Sequence, residues 1–314
     1  MNFDPLNSRI DFVKHRKKFF AFSGIFLMVG LVLLMTIGMN LGIDFRSGTT
    51  VEVLADDTLT AEEVEEQFAS IGFEPDDITL AGDDHEIAHV AFIGDLSQDE
   101  TLMIQDHFED TYGHTPTIST VTPLVAEELA QNAIIAVAIA AVGIIIYVSI
   151  RFEFLSGVSA IIALLHDTLW ILTIFTVLQI EVNITFIAAV LTIVGYSIND
   201  TIVTFDRIRE NMQLEKKVKT KEDVARVVNK SLVQTLARSI NTVLTVVFAA
   251  GALFIFGGEA IRSFSFALVV GLVAGTYSSL FIAAQIWLGF KGRQIERRRF
   301  DGDKQEVEDP QPEG

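Results

Sequence analysis

The sequence contains no cysteine. That excludes disulfides, thiolate metal sites and a cysteine nucleophile, and it leaves the redox compartment open. Basic charge is scarce where acid is densest: between Gly42 and Ala130 stand 22 Asp or Glu and a single Arg. This segment alone carries more negative charge than the whole chain nets, which is -18 over 314 residues. Only short basic clusters remain elsewhere, so binding to nucleic acid through phosphate neutralisation is excluded. The rest of the chain is apolar, with 50% hydrophobic residues overall and a mean hydropathy of +0.42. A soluble domain this acidic does not average so apolar, so the two properties belong to different parts of the chain.

A bilayer core of roughly 30 Å takes about 20 apolar residues in a helix, and six stretches qualify. They run from Phe19 to Leu41, Ala130 to Ile150, Phe154 to Leu178, Val182 to Phe205, Leu232 to Phe256 and Phe264 to Phe290. The first follows Lys14, Arg16, Lys17 and Lys18 but is too long for a signal-peptide core and lacks a small-residue cleavage site, so it reads as a retained span. Lys and Arg accumulate in cytoplasmic loops. Here they gather at the N-terminus (residues 1–18, with Arg9), at Arg151, in the loop 206–231 (Arg207, Arg209, Lys216, Lys217, Lys219, Lys221, Arg226, Lys230) and in the tail 291–314 (Lys291, Arg293, Arg297 to Arg299). The other loops hold only Glu181, and Glu259 with Arg262. The expected protein is a multi-pass protein of the cytoplasmic membrane, with both termini cytoplasmic and residues 42–129 outside. The tail, charged and ending in Pro310, Pro312 and Gly314, reads as disordered.

The outside segment alternates between strand and helix patterns. Thr50 to Leu54, Ile78 to Leu80, Glu86 to Ile93 and Thr117 to Val121 read as strands. Thr60 to Ile71 and Ser97 to Tyr112 read as helices, each opened by a capping-box pattern, Thr60 with Glu63 and Ser97 with Glu100. The order β-α-β-β-α-β predicts a ferredoxin-like α+β domain on an α-helical polytopic membrane protein. Its acids, among them Glu62, Glu63, Glu65, Glu66, Asp76, Asp77, Asp83 and Asp84, read as a solvated face suited to a salty or alkaline exterior. His85, His89, His107 and His114 match no zinc spacing, so no metal and no cofactor are expected.

Charges inside spans cost about 2.5 to 3.5 kcal/mol each, so an ionisable residue there points to function. Three stand out: Asp167 beside His166, Asp200 within GYSINDTIVTFDRIREN, and Arg238 within TLARSINT. Counted along the helix, Asp200 and Arg238 lie at similar depths, about 10 and 12 Å from the basic loop. Thr192, Tyr196, Asn199, Asp200 and Thr204 share one helix face, as do Gln234, Arg238, Asn241, Thr242 and Thr245. The functional reading is a carboxylate that changes protonation during a transport cycle beside a mobile arginine. The bland reading is a static buried pair or interhelical hydrogen bond. Asp206, Arg207, Arg209 and Glu210 read as interfacial anchors, and Gly271 and Gly275 as a close-packing face before Thr276 to Ser279. No set of catalytic partners around a substrate pocket is visible, so an enzyme is not expected.

A basic N-terminus, one span, GIDFRSGTT (Gly42 to Thr50), a β-α-β-β-α-β domain and five further spans together resemble the SecF family, the smaller membrane subunits of bacterial SecDF protein-export complexes. The segments HD (His166, Asp167), LTIVGYSINDTIVTFDRIREN (Leu191 to Asn211) and TLARSINT carry the likeness, which covers Arg9 to Phe290. Ser47 departs from it, standing where the family usually has glycine after the DF element. The resemblance implies a member of the resistance-nodulation-division superfamily. Such a subunit uses protons or Na+ to help preproteins leave the SecYEG channel, as a heterodimer with SecD in membrane lipid. It also implies Asp200 as the coupling carboxylate, Arg238 as its modulator and Asp167 as a secondary group. His166, Tyr196, Ser197, Asn199, Thr204, Asn241 and Thr242 would form the supporting polar face, and Gly42, Asp44, Phe45, Gly48 and Thr49 the extracytoplasmic loop motif. The alternatives are a small-molecule efflux subunit of the same superfamily and a scaffold of the translocon without transport chemistry.

Overall fold

Among the described residues, six helices are long and apolar enough to cross a membrane. In a computed structural model that describes residues 11–82, 85–215 and 218–308, they are α1 (Arg16–Thr36), α5 (Pro123–Arg151), α6 (Phe154–Leu178), α7 (Ile184–Leu214), α8 (Lys221–Phe256) and a rod formed by α9 (Glu259–Ser278) and α10 (Ala284–Glu308). Between α1 and α5 lie a short helix α2 (Ile43–Arg46) and a small domain: β1 (Gly48–Leu54), α3 (Ala61–Ser70), β2 (Asp77–Ala81), β3 (Ile87–Ile93), α4 (Gln98–Tyr112) and β4 (Thr117–Val121). Arg9, Asp83, Asp84, Lys216, Lys217, Pro310, Pro312 and Gly314 lie outside the described residues.

Several helices outrun the spans read from hydropathy. α7 continues nine residues past Phe205 to Leu214, and α8 begins eleven residues before Leu232, at Lys221. Hydropathy registers the bilayer, whereas a helix continues until its caps end it. At α8 that cap is a reciprocal pair: Asp223 N–H donates to Thr220 Oγ1 (3.2 Å) and Thr220 N–H to Asp223 Oδ2 (3.0 Å). α5 starts at Pro123, which fits the first helical position because its missing N–H would be unpaired there anyway. Helix also continues through α10 to Glu308, into the tail expected to be disordered. Lys, Arg, Gln and Glu are good helix formers, and they extend a helix already nucleated by the apolar span.

The sheet has the order β2-β3-β1-β4 with every neighbouring pair antiparallel. β1 and β2 therefore run parallel with β3 between them, the connectivity of a split βαβ unit. Alternation sends Val51 and Val53 of β1 and Ala88, Val90 and Phe92 of β3 to one face, where Val64 and Phe68 of α3 and Ile104 and Phe108 of α4 cover them. The rings of Phe68 and Phe108 stand 4.4 Å apart. Burial of each such side chain contributes about 1.5 to 3 kcal/mol. Ser97 and Glu100 form the full capping box of α4. At α3 only half forms: Thr60 accepts from Glu63 N–H at 3.2 Å, while the Glu63 carboxylate accepts from Tyr112 OH at 3.3 Å. Burial, reinforced by that negative charge, pushes the Tyr112 phenol up to about 12. The histidines have separate partners: His89 faces Glu52, His107 meets Gln67 and His114 meets Asp56.

The membrane region packs around α9, which meets α6, α7 and α8. Small residues permit this. A Cβ on Gly275 would lie 3.1 Å from Ser197 Cβ, and one on Gly271 would overlap the Ile193 side chain. α1 buries only Ser23 and Gly30, against α6, and leaves its other faces open, as expected for a lipid-facing span.

Candidate functional site

Asp167 sits mid-way along α6 at 2% exposure, among donors from its own helix and two others. Ser197 of α7 and Ser278 of α9 donate to Oδ2, at 2.5 and 2.8 Å, and His166 Nδ1 lies 3.2 Å from Oδ1. The other ring nitrogen, Nε2, is 3.1 Å from Ser23 Oγ on α1, which is 3.0 Å from Tyr277 OH on α9. The HD pair thus ties four helices together. The carboxylate accepts from two serines and lies beside a histidine nitrogen.

Asp200 is one helical turn along α7 from Ser197, and its surroundings differ. Ser239 of α8 donates to Oδ1 at 2.6 Å. Oδ2 is buried and has no hydrogen-bond partner among the described residues. Ser279 lies near this carboxylate, with its Oγ 2.8 Å from Gly275 O and 3.1 Å from Thr201 Oγ1. Asp200 and Arg238 line one small cavity of about 40 Å³ with Tyr196, Asn199, Thr242 and Thr276, room for a water molecule. Among the described residues no hydrogen bond or ion pair joins Asp200 to Arg238, so the static ion pair weighed above is not what holds the carboxylate. Tyr196, Asn199, Arg238, Asn241 and Thr242 are exposed on this chain, and Asn241 does not reach the cavity. Thr204 is buried with its hydroxyl unpartnered among the described residues.

At the basic ends of α7 and α8, Asp206 binds Arg151 (2.8 Å) and Arg209 (3.0 Å), and Arg207 binds Glu210 (2.6 Å). Gln234 accepts from Arg207 and from Asn211, which removes it from the polar stripe around Arg238.

The segment Gly42 to Thr49 joins the two halves of the molecule. Gly42 N–H donates to Val182 O (3.0 Å), Val182 N–H to Asn40 O (2.8 Å), and Asp44 Oδ2 accepts from Ile184 N–H (2.9 Å) at the first turn of α7. Phe45 packs into the apolar cluster around Phe175 and Phe186. Gly48 lies under Phe92 O, where a Cβ would collide, and Thr49 Oγ1 is 3.1 Å from Thr120 Oγ1. The partners sequence reasoning missed are serines: Ser23, Ser239, Ser278 and Ser279. Ser278 and Ser279 stand in the run GTYSS, which reads equally well as small-residue packing, Ser239 stands inside TLARSINT next to the more conspicuous Arg238, and Ser23 has no signal in its apolar span.

Residues 103–293 match the family described as protein export membrane protein SecD/SecF, C-terminal, and residues 32–58 match the SecD/SecF GG motif. The chain belongs to the SecD/SecF family. It is 43% identical over 305 residues to the protein translocase subunit SecF of Alicyclobacillus acidocaldarius, covering 95% of this chain and 98% of that one. It is 52% identical over 287 residues to the protein translocase subunit SecDF of Bacillus subtilis, covering 91% of this chain but 39% of that longer one. A crystal structure of SecDF from Thermus thermophilus, a translocon-associated membrane protein, superposes with a TM-score of 0.81 at 32% identity. It covers 91% of this chain and 39% of that one. A second, of SecDF in a super-membrane-facing form, gives 0.68 at 30% identity over 94% of this chain and 40% of that one. The chain therefore spans about two fifths of the SecDF relatives and nearly all of a SecF. Ser47 and Gly48 both fall within the residues matched by that motif.

Proposed function

We propose that this subunit works with a SecD partner in protein export, drawing on a proton or sodium gradient to help preproteins leave the SecYEG channel. The carrying observation is Asp200: one carboxylate oxygen held by Ser239, the other buried, without a hydrogen-bond partner among the described residues, on a side chain that lines a cavity together with Arg238. That empty oxygen is a place for a transported cation. Ionised Asp200 attracts the Arg238 guanidinium across the cavity, and a bound proton or Na+ cancels the attraction. α7 and α8 then have a reason to shift against each other on each loading and unloading. Asp167, bonded between α6, α7 and α9, would be the secondary group, steadying the frame in which Asp200 moves.

The exposed polar stripe of Tyr196, Asn199, Arg238, Asn241 and Thr242 supports a partner. Facing lipid it would be costly, whereas facing helices of SecD it would line a shared ion path. Basic residues at Lys14 to Lys18, Arg151 and Arg207 to Lys230 favour cytoplasmic termini, with the α/β domain on the outer side.

Asp200→Asn, reconstituted with SecD in vesicles, should insert and associate normally yet lose gradient-driven stimulation of preprotein export. Stimulation at the wild-type level would remove Asp200 from the coupling role. Imposing a pH gradient and a sodium gradient separately identifies the ion.

A further inference from the structure

Between α9 and α10 the helix widens into a π turn at Ser279–Ala283, and the residues at its entrance, Ser278 and Ser279, are both fully buried. π turns inside α-helices gather at functional sites. Here two consecutive hydroxyls face the two carboxylates. Ser278 Oγ has one proton and two acceptors in reach, Asp167 Oδ2 at 2.8 Å and Gly275 O at 3.1 Å. Ser279 Oγ donates to the same Gly275 O at 2.8 Å and lies 3.1 Å from the hydroxyl of Thr201, the residue after Asp200. The Asp200 carboxylate also lies beside Ser279, and its Oδ2 has no hydrogen-bond partner among the described residues.

We propose that Ser278 and Ser279 are positioning residues that make Asp200 respond to the charge of Asp167, by passing one carbonyl acceptor, Gly275 O, between them. With Asp167 ionised, Ser278 donates to it and Ser279 holds Gly275 O, which leaves Asp200 Oδ2 empty. When Asp167 Oδ2 gains a proton it donates that proton to Ser278 Oγ, so the Ser278 hydroxyl turns to Gly275 O, whose other acceptor site is taken by the Ser279 N–H. Ser279 is displaced and donates to Asp200 Oδ2. Only hydroxyl rotations are involved, and neither serine gives up its proton. Asp167 faces His166 on its own helix, whose ring lies against Tyr277 of α9, and Ser278 from α9. Ser197, Tyr196 and Asp200 face it or lie next along α7, Arg238 lies beyond on α8, and α1 contributes the neutral Ser23. The inference rests on Asp200 being the coupling group.

The test is infrared difference spectroscopy of the full chain with its SecD partner at acid pH, following the C=O stretch of protonated Asp200, identified by its loss in Asp200→Asn. Asp167→Asn, which fixes that site neutral, should move the band to lower frequency as Ser279 donates to Oδ2. The shift should vanish when Asp167→Asn is combined with Ser278→Ala or with Ser279→Ala. It should persist with Ser278→Thr, which keeps the hydroxyl and guards against simple misfolding. A band that ignores Asp167→Asn, or a shift that survives both alanine variants, overturns the relay. If the band behaves as stated but Asp200→Asn leaves gradient-driven export intact, the relay stands and the coupling role of Asp200 falls.

Discussion

Ser47 turns the chain from α2 into β1 at φ 62° and ψ 149°, a backbone region that side chains avoid. Residues held there cost about 1 to 3 kcal/mol, while glycine adds some unfolded-state entropy. Ser47→Gly should therefore stabilise the protein by about 1 kcal/mol, read as a higher thermal midpoint. A second residue-scale effect concerns Glu100. Hydrogen bonds from the Ser97 side chain and then its backbone hold this carboxylate below its ordinary value of 4.5. The folded form thus keeps the charge more readily than the unfolded one. Its contribution is complete above the unfolded value and is lost as pH falls through the lower, folded one. Hydrogen exchange of α4 should show weakening protection from about pH 5 downward, and Glu100→Gln should flatten that part of the dependence. At this scale the sequence displayed its ionisable residues clearly, because a charge in an apolar run is conspicuous. It did not display their serine partners, because a serine inside a helix looks the same whether it packs or donates.

α7 and α9 meet through Ser197, Gly271 and Gly275, and that contact also places Ser197 and Ser278 on Asp167. Gly275→Leu puts a side chain where a Cβ alone is 3.1 Å from Ser197 Cβ. Overpacking of this kind costs about 1 to 3 kcal/mol. It should lower the thermal midpoint in detergent and leave the α/β domain's own exchange protection unchanged. The apolar runs announced the number of long helices, and the β-α-β-β-α-β pattern announced every element of the small domain to within two residues, with β4 matching at both ends. What they hid were helix ends set by hydrogen bonds, as at Thr220 and Asp223, and the π turn at Ser279–Ala283. The latter depends on how α9 and α10 pack, not on local propensity.

For the molecule as a whole, the decisive connection is the one between Gly42 to Asp44 and the start of α7. Asp44 accepts from Ile184 N–H, and Leu41 pairs with Val182 in a parallel bridge. The small domain is therefore rooted on the helix that carries Asp200. Asp44→Ala should cost about 1 to 2 kcal/mol of that junction. It should reduce gradient-driven export while leaving the unfolding of the α/β domain as in the wild type. Equal export would show that the junction transmits nothing. Ile184 and Asp200 are 16 positions apart, about 24 Å of helix. A tilt of about 5° pivoting at Asp200 moves the root of the domain by about 2 Å, the scale on which packed helices switch. One charge crossing 100 mV releases about 2.3 kcal/mol, which over such a stroke corresponds to a stalling force on the order of 80 pN. Because the same lever would work in both directions, coupling at Asp200 as proposed means that a polypeptide pulling on the domain would oppose ion release there, and mechanical load would set the turnover of that site.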